Sequence, residues 1–234
     1  MKFVCSILAV VSSLSLVSAA PNELSDAEKS EGFVSLFDGK SLDGWRGFRK
    51  DKPSDGWQVV DGAITLTKGG AGDLVSEKAF ADFDLRLQFK IAPQGNSGVM
   101  FRVSEDKKYP ATYSTGPEYQ ILDPNGQENY GHEIKAGNVS GGLYGIVPSK
   151  PEFSKPAGEW NDARIFLKDN HLKMFINGKK TVDVVLGSDE YKELLGKSKF
   201  ASWDGFGKMP IGKITFQDHG QEVAFRNIRI KSFE

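Results

Sequence analysis

The chain has 234 residues, with 30 basic and 31 acidic side chains and a formal net charge of −1. No block of like charge is longer than three residues, so neither a nucleic acid nor an anionic membrane surface meets an electrostatic footprint. The one cysteine, Cys5, lies within the first twenty residues; without them, disulfides, zinc–thiolate clusters and cysteine nucleophiles are all excluded.

Those first twenty residues read as a secretory signal. Met1-Lys2 gives a positive start, Phe3 to Val17 an apolar run, and Ser18, Ala19 and Ala20 a small-residue cleavage site ahead of Pro21. The run is too short to span a bilayer. Cys5 lies near the start of that run rather than after it, which argues against a lipoprotein anchor. Cleavage is expected after Ala19 or Ala20, the alternative being a retained N-terminal anchor. The mature chain is then secreted or periplasmic and free of the membrane. Residues 21–31 are polar and predict a loose leader, and residues 32–234 a single domain large enough for a sizeable core.

Along that domain apolar and polar residues alternate with period 2, the mark of strands with one buried face. In Asp82–Ile91 the residues Phe83, Leu85, Leu87, Phe89 and Ile91 oppose Asp84, Arg86, Gln88 and Lys90. Ala163–Lys168, Leu172–Asn177 and Phe225–Ile230 repeat the pattern. Asp61-Gly62 and Asn177-Gly178 separate such runs and predict tight hairpins. Only Asp189–Leu195 reads as helical. Sixteen Phe and twenty-six Gly fit short strands joined by tight turns. The fold class is therefore all-β, an antiparallel two-sheet jelly-roll sandwich rather than a small barrel.

Several catalytic motifs are absent: GxxxxGK[ST], GxGxxG, GxSxG and HExxH. Asp51–Gly56 resembles the start of a calcium loop, but Gly62 stands where a bidentate acid is needed, so it reads as a turn. Asn138-Val139-Ser140 is a formal glycosylation sequon.

Three segments carry polar residues on one strand face. In Asn96–Arg102, the residues Asn96, Gly98, Met100 and Arg102 share a face, and Val99, Phe101 and Val103 point to the core. Gly98 removes a side chain, so a ligand can approach the backbone. In Glu118–Asp123, Glu118 and Gln120 share a face, and Asp123 before Pro124-Asn125-Gly126 reads as a turn-former. In Ile214–Gly220, Thr215, Gln217 and His219 share a face; Asp218 either orients His219 or begins a turn. In one sheet these strands assemble Asn96, Arg102, Glu118, Gln120, Gln217 and His219 into a patch of amides, a guanidinium and two proton-transfer groups. That inventory suits a sugar, and the loop aromatics Tyr144, Trp160 and Trp203 would face its rings. The competing reading is a solvated strand face with Arg102 and Glu118 as a cross-strand ion pair. His132 and His171 read as surface residues, Trp45 and Trp57 as packing.

The same segments resemble a known family. Leu36-Phe37-Asp38-Gly39-Lys40-Ser41-Leu42-Asp43-Gly44-Trp45 is similar to the opening motif of the 3-keto-disaccharide hydrolase domain family. The resemblance continues through Asn96-Ser97-Gly98 with Phe101-Arg102, Glu118–Asp123, Gly142-Leu143-Tyr144-Gly145, Glu159-Trp160-Asn161, Phe216–Gly220 and Phe225–Ile230. It implies a concanavalin-like jelly roll and a glycoside-cleaving hydrolase acting on sugars already oxidised to the 3-ketone, with elimination as the route. It points to Glu118 and His219 as base and acid, in either order. Asn96, Arg102, Gln120, Tyr144, Trp160 and Gln217 would hold the oligosaccharide or glycoside. The resemblance assigns no cofactor, and Glu118 with His219 is also compatible with a divalent metal. The stretch Lys107–Gly116 and the loop Trp203–Pro210 depart from the family pattern where they would shape a cleft. The alternative on the same fold is a non-catalytic carbohydrate-binding module.

Overall fold

The computed structural model describes residues 20–233. The signal segment lies outside the described residues except for Ala20. Thirteen strands are present among them: β1 (Val34–Ser35), β2 (Trp45–Gly47), β3 (Trp57–Val60), β4 (Ala63–Leu66), β5 (Leu74–Phe80), β6 (Phe83–Ile91), β7 (Asn96–Val103), β8 (Glu118–Leu122), β9 (Asn161–Lys168), β10 (His171–Ile176), β11 (Lys179–Val185), β12 (Gly212–Phe216) and β13 (Val223–Ser232). The helices are α1 (Asp26–Ser30), α2 (Gln127–Lys135) and α3 (Asp189–Gly196).

All pairings are antiparallel and form two sheets, as the alternation predicts. The larger has the order β11-β10-β9-β6-β13-β4-β3, with β1 beside the far end of β13; the smaller has the order β2-β5-β12-β7-β8. Both expected hairpins form. Asp61 and Gly62 have φ of 49° and 71°, and Asn177 and Gly178 have 47° and 77°, the left-handed pair that matches strand twist.

Aromatic rings join the sheets. Trp45 stacks on Phe216 at 4.6 Å, and Phe216 of the small sheet stacks on Phe225 of the large one at 4.0 Å. Edge-to-face pairs repeat the link between Phe83 and Phe101 at 6.1 Å and between Phe89 and Tyr119 at 6.4 Å. Each buried ring of this kind contributes about 2–3 kcal/mol from area alone. Trp45 and Trp57 are buried, as their setting predicts.

Three features differ from the sequence reading. The leader at 21–31 is docked rather than loose. Ser25 and Glu28 form a reciprocal capping box at the start of α1, Glu28 pairs with Arg229, and Asn22 exchanges backbone–amide hydrogen bonds with Asn227. Helix α2 has no counterpart in the periodicity, because Gly131 interrupts it and Gly126 supplies no capping side chain. It is held by packing: Ile134 packs with Leu122 and Val139. Strict alternation also fails at two bulges. Phe101 and Arg102 together oppose one residue of β12, and Asn227 and Ile228 together oppose one residue of β6. Arg102 and Asn227 have φ of 52° there, and each bulge reverses the facing of the residues beyond it.

Candidate functional site

The face of the small sheet turned away from the core carries the polar residues. Val99, Phe101, Tyr119, Ile121, Ile214 and Phe216 fill the core, leaving Asn96, Gly98, Glu118, Gln120 and Gln217 on the opposite side. Pairing sets their register: Gly98 opposes Gln120, and Met100 opposes Glu118. Gln217 is fixed beside them, its N–H donating to the Gly98 carbonyl at 3.0 Å and its carbonyl accepting from Ser97 Oγ at 2.8 Å.

Over this face lies a cavity of about 220 Å³. Six of the eight expected site residues line it: Asn96, Glu118, Gln120, Tyr144, Gln217 and His219. Its remaining walls come from Tyr113 and Gly116 before β8, and from Lys199, Phe200, Trp203 and Phe206 between α3 and β12.

Arg102 and Trp160 are not brought there. The bulge turns Arg102 toward the other sheet, where its guanidinium donates to the Ala81 carbonyl at 3.1 Å, Asn170 Oδ1 at 3.1 Å and Asp82 Oδ1 at 3.0 Å. It clamps the ends of the two sheets and makes no cross-strand pair with Glu118. Trp160 lies on the outer face of the large sheet, with the Arg226 guanidinium 4.0 Å above its ring and the Lys90 ammonium at 5.2 Å.

Glu118 is 7% exposed, and its carboxyl lies against the bare backbone of Gly98. Burial pushes it up to about 8; the negative charge of Asp73 adds to the shift, Lys199 opposes it, and Glu133 adds slightly. A carboxyl in this state exchanges its proton near neutral pH. Asp73 escaped the sequence reading because it precedes β5 and matches no motif. Its carboxyl is also raised by burial, and it accepts from Thr112 Oγ and from the Asp218 N–H.

His219 is exposed at the rim and sits edge-on to Tyr130 at 6.1 Å. Asp218 serves as turn-former: its carboxylate accepts from the Gly220 N–H at 2.9 Å and the Gly72 N–H at 2.8 Å. On the opposite wall Lys199 Nζ donates to the Tyr144 hydroxyl at 3.0 Å, which donates to Glu133 Oε1 at 3.1 Å. The ammonium also stands 4.3 Å from the Tyr144 ring centroid. Asn138 donates to Glu133 Oε2 at 2.6 Å and keeps that carboxylate in place.

The floor holds unmet hydrogen-bonding capacity. Among the described residues, Asn96 Oδ1 and Gln217 Oε1, both in the cavity lining, are buried without a partner. Buried polar atoms are rarely left so, and the hydroxyls of a bound sugar would satisfy them. Gln120 is already oriented, its Oε1 accepting from the Ile121 N–H at 3.0 Å. Among the described residues no group of three or more His, Cys, Asp or Glu side chains is placed to hold a metal.

Comparison with known proteins gives this surface its context. The sequence profile of the 3-keto-alpha-glucoside-1,2-lyase-like domain matches residues 32–231. A 3-keto-disaccharide hydrolase of Bacteroides thetaiotaomicron is 32% identical over 96% of this chain and 86% of its own length. A candidate glycosyl hydrolase from Parabacteroides distasonis, known from its crystal structure, superposes with a TM-score of 0.81 at 33% identity, covering 92% of this chain and all of the other. A second such structure from the same organism gives 0.63 at 28% identity, covering 86% of this chain and 99% of that one. The matched range includes all three strands that floor the cavity, and the protein is accordingly a carbohydrate hydrolase belonging to the 3-keto-alpha-glucoside-1,2-lyase-like domain family.

Proposed function

We propose that the protein is an exported enzyme that cleaves 3-keto-disaccharides or related 3-keto-glycosides, with Glu118 as general base and His219 as general acid. The carrying observation is the buried Glu118 carboxyl, raised to about 8, in a cavity that also holds an imidazole and an ammonium group. A 3-ketone makes the C2 proton acidic. Glu118 removes it, and the C–H electrons pass into an enolate whose charge rests on the C3 oxygen. Collapse of the enolate breaks the C1–O bond and forms a C1–C2 double bond, while His219 gives its proton to the departing oxygen. Water adding across that double bond completes hydrolysis.

The C3 oxygen needs a preorganised positive partner. Lys199 is that partner, since it lines the cavity and is held on Tyr144, whereas Arg102, expected to hold the substrate, is turned away. Asn96 and Gln217 accept from neighbouring hydroxyls, and Gln120 offers its amide N–H groups. A raised pKa makes Glu118 the stronger base once ionised, which suits a carbon acid. Export is supported by the charged start, apolar run and small-residue site within residues 1–20.

Chromatography of products from a panel of 3-keto-disaccharides tests the reaction. Turnover by the parent protein, lost in Glu118→Gln and His219→Ala, is expected. Normal turnover by both variants would sink the role assignment, and saturable binding with no product would favour a lectin-like role.

A further inference from the structure

A second cavity, of about 470 Å³, opens beside the first and shares two of its walls, Tyr113 and Trp203. The two shared rings lie 5.9 Å apart at 47°, and Tyr113 is 48% exposed. Trp203 is braced from behind, edge-on to Phe200 at 5.0 Å, and Phe200 stacks on Phe206 at 4.0 Å. The far walls include Lys108, Tyr109 and Asp204. Gly205 lets the Tyr109 ring lie against the chain, because a Cβ there would come within 2.4 Å of it. The Arg49 guanidinium donates to the carbonyls of Asp106, at 2.6 Å, and Tyr109, so this rim is formed before any ligand arrives. Residues from the segments 107–116 and 203–210 build this second cavity.

We propose that the second cavity is a subsite for the leaving half of the substrate and that it takes a second pyranose ring. This rests on the reading of the first cavity as the place where a glycoside is cleaved. At about 220 Å³ the first cavity falls below the usual range for a ligand pocket, about 300–1,000 Å³, and has room for one ring. A glycosidic bond cut there must project its other half past Tyr113 or Trp203. The lining decides what that half is. The faces of Tyr113 and Trp203 suit the C–H faces of a sugar, and the Lys108 ammonium, which stands 4.9 Å from the Tyr109 ring centroid, the Asp204 carboxylate and the Ser114 hydroxyl suit its hydroxyls. A plain aryl group would use the rings and leave both charged groups without a role.

The test compares two substrates, a 3-keto-α-glucosyl-glucose disaccharide and methyl 3-keto-α-glucoside, on the full chain and on the double variant Lys108→Ala/Asp204→Ala. Both replaced side chains are exposed and lie outside the first cavity. The variant is expected to lose about tenfold in kcat/KM on the disaccharide, as for lost hydrogen bonds to charged groups, and less than about twofold on the methyl glycoside. Equal losses on both substrates, or no loss on either, would overturn the subsite, and an aryl 3-keto-glucoside preferred over the disaccharide would assign it to an aromatic leaving group instead. If the parent protein turns over neither substrate, the 3-keto reading fails, and calorimetry with the unoxidised sugars decides the subsite. Disaccharide bound at least about fivefold tighter than methyl α-glucoside, with the advantage gone in the double variant, supports it; equal binding overturns it.

Discussion

The carboxyl of Glu118 occupies the space that a side chain at Gly98 would fill: a Cβ on Gly98 would stand 2.0 Å from Glu118 Oε1 and 2.7 Å from its Cγ and Cδ. The glycine belongs to β7 and the glutamate to β8, two register positions apart and so on the same face. The missing side chain lets a charged group lie flat on the sheet and stay buried, which is what raises its pKa.

Gly98→Ala is therefore expected to act on Glu118 rather than on the fold. The carboxyl must move off the sheet, and a misplacement of this size lowers kcat/KM by about 100-fold. Re-solvated, it returns toward an ordinary carboxylate range, so residual activity responds at lower pH. Circular dichroism beside a pH–rate profile checks both, and an unchanged profile would detach the glycine from the mechanism.

Glu118→Gln should remove about 10²–10⁴-fold of activity. The rising limb of the parent enzyme's pH–rate profile should follow the ionisation of Glu118, near 8. Stability runs the other way. The folded state keeps a proton that the unfolded state releases from near pH 4.5, so this group's contribution falls as pH rises from there to about 8 and is spent above it. The Gln variant should then be more stable at pH 8 by about 2 kcal/mol and equal to the parent near pH 4. Urea melts at the two pH values measure it.

Lys199→Met removes the cation that opposes the rise at Glu118. The activity limb should move to higher pH, and kcat should fall about 10–100-fold if the ammonium steadies the enolate oxygen. Kinetics across pH 6–10 separate the two effects; a lower KM with unchanged kcat would point to substrate binding alone.

Arg102→Ala should cost about 3 kcal/mol of stability, because it strips a buried guanidinium from Asp82, Asn170 and the Ala81 carbonyl. Catalysis by the folded fraction should stay within about twofold, which is also expected of Trp160→Ala on the far side of the sandwich. Denaturation curves and kcat/KM on one preparation distinguish these residues from the cavity lining.

Much of this was legible in the sequence. Period-2 runs marked β6, β9, β10 and β13 to within one or two residues, and the Asp-Gly and Asn-Gly pairs marked both hairpins. Asn96, Glu118, Gln120, Gln217 and His219 reached one cavity because facing follows from parity on an unbroken strand. Arg102 did not, because one extra residue before Val103 inverts parity and no local composition announces a bulge. Lys199 and Asp73 were illegible for another reason. They stand on loops, where position depends on what the loop packs against, here Tyr144 for the lysine and Thr112 for the aspartate.

The place of β13 bears on how the chain becomes folded. It is the last strand of the described residues, yet it lies inside the large sheet, between β6 and β4. Until residues 223–232 arrive, that sheet exists as two unconnected pieces, β11-β10-β9-β6 and β4-β3. The leader's anchors, Asn227 and Arg229, are missing as well. A chain that lacks β13 thus has no route to the native large sheet. Closing the sheet therefore waits on contacts more than 200 residues apart, such as Asn22 with Asn227.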